Sequence, residues 1–172
     1  EGVFDFLAQE VSADDPALQS AMGAEVFGLA SLVWPGPGED IELTGLALEG
    51  ETLSLTAYGI IKGLTFDGFT ELSAPNLAAF SGLAGRPLGG SALATIQGQA
   101  NPLTGALDLV ADLVTTDLTL DSAEADALLA GDSSIAVSLL RDVEGTQLRS
   151  MTLNTRAVDA SMQGQFRPEF IE

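Results

Sequence analysis

Hydrophobic and polar positions alternate along most of the chain with the period of two that a half-buried β-strand requires. In the stretch 52–58, Leu53, Leu55 and Ala57 share one side, with Thr52, Ser54, Thr56 and Tyr58 on the other. Leu64-Thr-Phe66 follows, and Phe69 then falls out of phase with it across Gly68, which predicts a bulge there. Leu107, Leu109, Ala111 and Leu113 lie together, opposite Asp108 and Asp112. Ile135, Val137 and Leu139 form another face, as do Leu148 with Leu153, and Val158 with Ala160 and Met162. The stretches 34–38, 101–105 and 142–145 read as hairpin loops. The pattern predicts about ten to twelve strands.

Three short Leu/Ala-rich stretches ending in Gly interrupt the alternation: 16–23, 76–85 and 123–131. Each predicts a helix of one to three turns, too short to stand alone. Asp15 before Pro16 has the form of an N-cap followed by an N1 proline. Asp121 and Glu124 have capping-box spacing, and Gly131 stands at the expected C-cap. Such helices are expected to close the end or edge of a sheet, because an open edge invites aggregation.

The helix-then-strands unit recurs. Residues 42–59 align without a gap on 147–164, so that Leu43 meets Leu148, Leu46 meets Met151, Leu48 meets Leu153 and Gly59 meets Gly164. The units run over about 12–70, 71–120 and 121–172 of a single β-repeat body. Units that cannot bury an apolar face alone must stack on their neighbours, which makes an elongated molecule. One-sided strands in succession give a sheet with one greasy and one polar face. That sheet either packs against a second one as a sandwich or curls over itself as a trough, and periodicity alone weights the sandwich.

Composition narrows the function. The chain has 172 residues, is 46% hydrophobic, and carries 25 acids against 6 bases for a net charge of −19. It is apolar enough to fold despite that charge. Lys62 is the sole base in the first 85 residues, and no basic stripe exists to attract nucleic acid or anionic head groups. There is no Cys and no His, so thiol chemistry is absent, as are the commonest metal ligand and general base. No apolar run approaches the ~18 residues of a membrane helix. A chain that opens on Glu1 without Met or a signal peptide is expected to be a piece of a longer protein.

Candidate chemistry is sparse. Asp14–Asp15, Glu39–Asp40 and Asp108 with Asp112 are the carboxylate clusters, and none forms a pair facing across a cleft as glycoside hydrolysis needs. No EF-hand loop organises them for calcium. Gly89–Gly90 lacks the spacing of a phosphate loop, and no Ser has an activating partner. Asp121, Glu124 and Asp126 read as caps and a solvated face, and Trp34 as a loop anchor. Phe66, Phe69 and Phe80 suit either a lining or a core. The expectation is a non-enzymatic protein without metal or cofactor.

The stretch 53–166 resembles the TamB family, the bacterial translocation and assembly module proteins of the AsmA-like superfamily. The resemblance rests on 74–98, which contains Leu83-Ala-Gly-Arg-Pro-Leu-Gly-Gly90, on Thr104-Gly-Ala-Leu-Asp-Leu109, and on Ala125-Asp-Ala-Leu-Leu-Ala-Gly131. It covers about two thirds of the chain, with the first 50 residues as a more diverged copy. It implies a mainly β fold, an elongated curled β-sheet trough (a taco or half-barrel) with two or three short helices. It implies a periplasmic section of a protein anchored in the inner membrane, acting with a TamA- or BamA-like outer-membrane partner. The trough would guide phospholipid acyl chains, or nascent outer-membrane strands, between the membranes. Its lining would be Leu53, Leu55, Leu64, Phe66, Leu107, Leu109, Leu113, Ile135, Val137, Leu139, Leu148, Leu153 and Met162. The rival class is an extracellular or periplasmic β-sandwich that binds protein or glycan through its outer face.

Overall fold

The computed structural model describes residues 2–8, 14–23 and 25–166. Ten strands form one antiparallel sheet in which every strand lies between its neighbours in sequence. They are β1 (Gly2–Ala8), β2 (Val26–Val33), β3 (Ile41–Gly50), β4 (Ser54–Lys62), β5 (Thr65–Ala74), β6 (Gly89–Asn101), β7 (Ala106–Thr119), β8 (Asp132–Asp142), β9 (Gly145–Asn154) and β10 (Asp159–Phe166). Helices α1 (Pro16–Met22), α2 (Ser81–Ala84, entered through a 3₁₀ turn at Leu77–Phe80) and α3 (Ala123–Leu129) join β1 to β2, β5 to β6 and β7 to β8. The sheet is open, with β1 and β10 each paired on one side only, and curls into a trough. Nine spacings of ~4.8 Å make it roughly 43 Å long. The two-sheet sandwich that periodicity weights does not form: the described residues make one sheet, and no second sheet among them covers the apolar face.

Each strand reverses direction, so the connections segregate. All three helices and the tight connections 50–54 and 154–159 lie at one rim of the sheet. The loop 33–41 and the turns 62–65, 101–106 and 142–145 lie at the other. The helices therefore sit along a rim formed by strand ends, while the edges β1 and β10 stay uncovered by a further strand.

Local chemistry explains the helices. The Asp15 carboxylate accepts from Ala17 N at 2.8 Å, Pro16 supplies a ready-made φ, and Gly23 N donates to Gln19 O. At α3 the N-cap is Ser122, whose hydroxyl accepts from Ala125 N and donates to Glu124. Asp121, expected as the cap, instead adopts φ +57° one residue earlier. Gly131 is also not the C-cap, which is Ala130. Its N–H donates to the Asp117 carboxylate and its carbonyl accepts from Asp117 N, pinning α3 back onto β7.

One line of irregularity crosses the sheet. Gly59, Gly68 and Gly98 are direct partners on β4, β5 and β6. A Cβ on any of them would come within 3.0 Å of the neighbouring backbone. The same register row continues to Leu43 on one side, and to Leu109, Leu139, Leu148 and Gly164 on the other. Extra residues beside this row, Thr44–Gly45 in β3 and Arg149–Ser150 in β9, shift the pairing there. Glycines in the middle and bulges to either side bend the strands along one line, and that line is the crease of the trough. The two bulges lie 105 residues apart, the offset of the aligned hairpins. Arg149 turns outward from its bulge, pairs with Asp108 of β7, and donates to Leu139 O of β8 at 3.3 Å.

The bulge expected at Gly68 is absent. β5 pairs without a shift on both sides, so Phe69 takes the outer face and stacks on Tyr58 with centroids 5.4 Å apart. Strand alternation alone explains its phase: Phe66 and Phe69 are three residues apart and so point to opposite faces.

Candidate functional site

Register assigns each side chain to a face, because directly paired residues point the same way. One face collects Leu46, Leu48, Leu55, Ile61, Phe66, Leu72, Ile96, Leu107, Leu109, Leu113, Ile135, Val137, Leu139, Met151, Leu153 and Met162. Small residues fill its middle: Ala57, Gly59, Gly68, Ala94, Gly98 and Ala111. The polar exceptions are Thr70, Thr115, Ser133, Thr146 and Arg141, the last at the turn rim of β8. Glu42, Glu49, Asp67, Glu71, Asp108 and Asp112 all lie on the opposite face.

Exposure identifies the concave side. On the acidic face, apolar side chains stand free: Tyr58 is 57% exposed, Val110 49% and Val114 46%. Their neighbours on the apolar face, Leu109, Ala111 and Leu113, are half-buried although no second layer covers them. Curling crowds side chains on the inside and spreads them on the outside, so the apolar face is the inside. Among the described residues no large side chain is fully buried.

Eleven of the thirteen residues predicted to line a groove share this concave face: Leu55, Phe66, Leu107, Leu109, Leu113, Ile135, Val137, Leu139, Leu148, Leu153 and Met162. Leu148 and Leu153 are five residues apart and would oppose each other in a regular strand; the bulge at Arg149–Ser150 brings them to the same side. Leu53 lies just before β4 and lines a cavity at the helix rim. Leu64 sits in the β4–β5 turn, 58% exposed.

The two rims differ. At the helix rim, α1 and α2 pack on each other over the concave face, with Gly82 against Ala17, and Thr52 Oγ1 donates to Ala21 O at 2.5 Å. Between these helices and the sheet lies a cavity of about 280 Å³, lined by Ala21, Val26, Leu48, Gly50, Leu53, Leu55, Phe80 and Leu83. Sequence reasoning missed it because Ala21 and Leu83 belong to separate helices whose meeting no local pattern predicts. The turn rim carries an exposed apolar residue in each connection: Trp34, Leu64, Leu103 and Val143. Polar neighbours shape these turns. The Asn101 side chain accepts from Leu103 N and Thr104 N, and Asp142 accepts from Glu144 N, leaving the apolar tip in solvent. Among the described residues no three carboxylates converge on one point, and no helix is long and apolar enough to cross a membrane.

No family model, curated protein or solved structure matches this chain. The functional reading therefore rests on the trough itself. Its lining offers many equivalent apolar contacts and one cation at the lip, Arg141, among the described residues. Each methylene moved from water onto such a lining gains up to ~0.8 kcal/mol when fully covered, at no particular position. Uniform, non-directional contact suits a ligand that slides, whereas a fixed substrate needs convergent polar groups.

Proposed function

We propose that this chain is a non-enzymatic section of a periplasmic conduit, in the manner of TamB-like proteins, whose trough guides phospholipid acyl chains between inner and outer membrane. The observation that carries the reading is the largely apolar concave face that runs from β3 to β10, with Glu42, Glu49, Asp67, Glu71, Asp108 and Asp112 on the opposite face. Acyl chains lie along the trough, and head groups stay in water beyond its lips. The apolar tips Trp34, Leu64, Leu103 and Val143 give chains a path over the turn rim. The acidic exterior keeps a molecule with this much accessible apolar surface soluble. A protein continuing at either edge, or a TamA- or BamA-like partner, extends the path.

The test is native mass spectrometry of the purified chain before and after organic extraction. Phospholipid adducts that disappear on extraction and return with added phospholipid are the expected result. A bare protein that ignores added phospholipid removes the reading.

The unpaired sides of β1 and β10 favour a second cargo, an extended polypeptide added as an eleventh strand. Protection of β10 amides from hydrogen exchange by an outer-membrane strand peptide, with no phospholipid bound, would move the assignment to that cargo.

A further inference from the structure

The cavity beneath α1 and α2 is held open. Helices of two turns and one turn over a void would ordinarily settle into it, since protein interiors close-pack. Three ties prevent this. Thr52 anchors the carbonyl of Ala21 to the β3–β4 connection. Gly82 and Ala17 lock the helices at a spacing so small that a Cβ on Gly82 would lie 2.7 Å from that of Ala17. The Asp15 cap fixes where α1 begins. The cavity walls carry no polar side chain, while Leu53 and Leu83, at its lip, are 36% and 52% exposed.

We propose that this cavity is a discrete binding site for the end of one saturated alkyl chain, of about ten carbons. Its volume of about 280 Å³ is roughly twice that of an engineered apolar cavity of ~150 Å³ that takes up benzene. A polar ligand is disfavoured because it would lose its hydrogen bonds to water and find none inside. The lining is continuous with the concave face through Leu48 and Leu55, so a chain lying in the trough turns its terminus in under the helices. The origin of that chain rests on the trough reading, whereas its binding here stands on the cavity alone. The site gives the trough a point of arrest along an otherwise uniform path.

The experiment is methyl-resolved NMR of the full chain titrated with 1-hexanol, 1-octanol and 1-decanol. Saturable shifts are expected at the methyls of Leu48, Leu53, Leu55 and Leu83, with affinity rising roughly fourfold per added CH₂. Ala21→Met fills the cavity and should abolish those shifts. Should that variant fail to fold, Leu83→Ala widens the lip and should let a longer alkanol bind at the same methyls. Shifts that are absent, or spread evenly over Leu109, Val137 and Leu139 of the open trough, overturn the proposal. Val137→Asp separates the two ideas. Loss of phospholipid with alkanol binding at Leu48 intact is expected. Loss of alkanol binding in a folded Val137→Asp protein means that the cavity is no separate site.

Discussion

Gly59 and Gly68 face each other across β4 and β5 so closely that a Cβ on Gly68 would stand 2.8 Å from the Gly59 Cα. The Phe66 ring covers Gly68 on the concave side, and the stacked Tyr58–Phe69 pair spans the same two strands on the convex side. The stacked rings add bulk on the convex side, while the paired glycines let the two backbones approach at the crease. Gly68→Ala is therefore expected to cost about 1–3 kcal/mol, since the backbone itself must yield. Gly45→Ala, whose nearest obstacle is the Ser31 hydroxyl at 3.3 Å, should stay within about 0.5 kcal/mol. Urea midpoints compare the two, and equal losses would mean that the glycine row is not the crease.

Val137 and Val110 occupy adjacent strands and opposite faces. Val137 is half-buried between Ala111 and Met151, whereas Val110 is 49% exposed among Gln97 and Ser138. An Asp at 137 is expected to cost about 1–3 kcal/mol through desolvation and to eject bound phospholipid. An Asp at 110 should change stability by less than about 0.5 kcal/mol and leave phospholipid in place. Thermal melts combined with native mass spectra read both effects. If both variants keep their lipid, the concave face is a structural core.

Much of this architecture is legible in the sequence because a strand's period of two is a local property. The faces at Leu107–Leu113 and Ile135–Leu139 follow from counting, and Pro16 and Gly23 mark α1 by their backbone preferences. The crease is hidden because it depends on Gly59, Gly68 and Gly98 meeting in register across three strands, which spacing alone does not fix. A glycine between two aromatics of opposite phase predicts a bulge, whereas the close approach of two backbones is the reason for Gly68. Ser122 and Asp121 are both good caps by residue type, and only the backbone, with Asp121 at φ +57° and the Ser122 hydroxyl on Ala125 N, shows that Ser122 takes the role. Whether one sheet or two forms was likewise open to periodicity, since both bury the same alternation.

Trp34 is the chain's single tryptophan and stands 53% exposed on the turn rim. If acyl chains cross that rim, phospholipids brominated along their chains should quench its fluorescence, and unbrominated ones should shift its emission to the blue. Trp34→Ala should slow loading from vesicles without changing the melting temperature. Unchanged emission in a protein that still acquires phospholipid would place the point of loading elsewhere, at the helix rim or an open edge.

Ser133 faces Thr115 across β7 and β8 near the helix rim, 4% exposed, and its hydroxyl has no hydrogen-bond partner. An unsatisfied buried hydroxyl loses its bonds to water and recovers nothing in the fold. Ser133→Ala removes that penalty and deletes one small atom, so it is expected to stabilise the protein by about 1 kcal/mol. For a chain of this size the melting temperature should rise by roughly 2–4 °C. The substitution touches neither the crease nor the middle of the trough, and phospholipid uptake should be unchanged. A fall in stability would show that the hydroxyl has a partner in solution, and a fall in phospholipid uptake alone would make that partner the cargo.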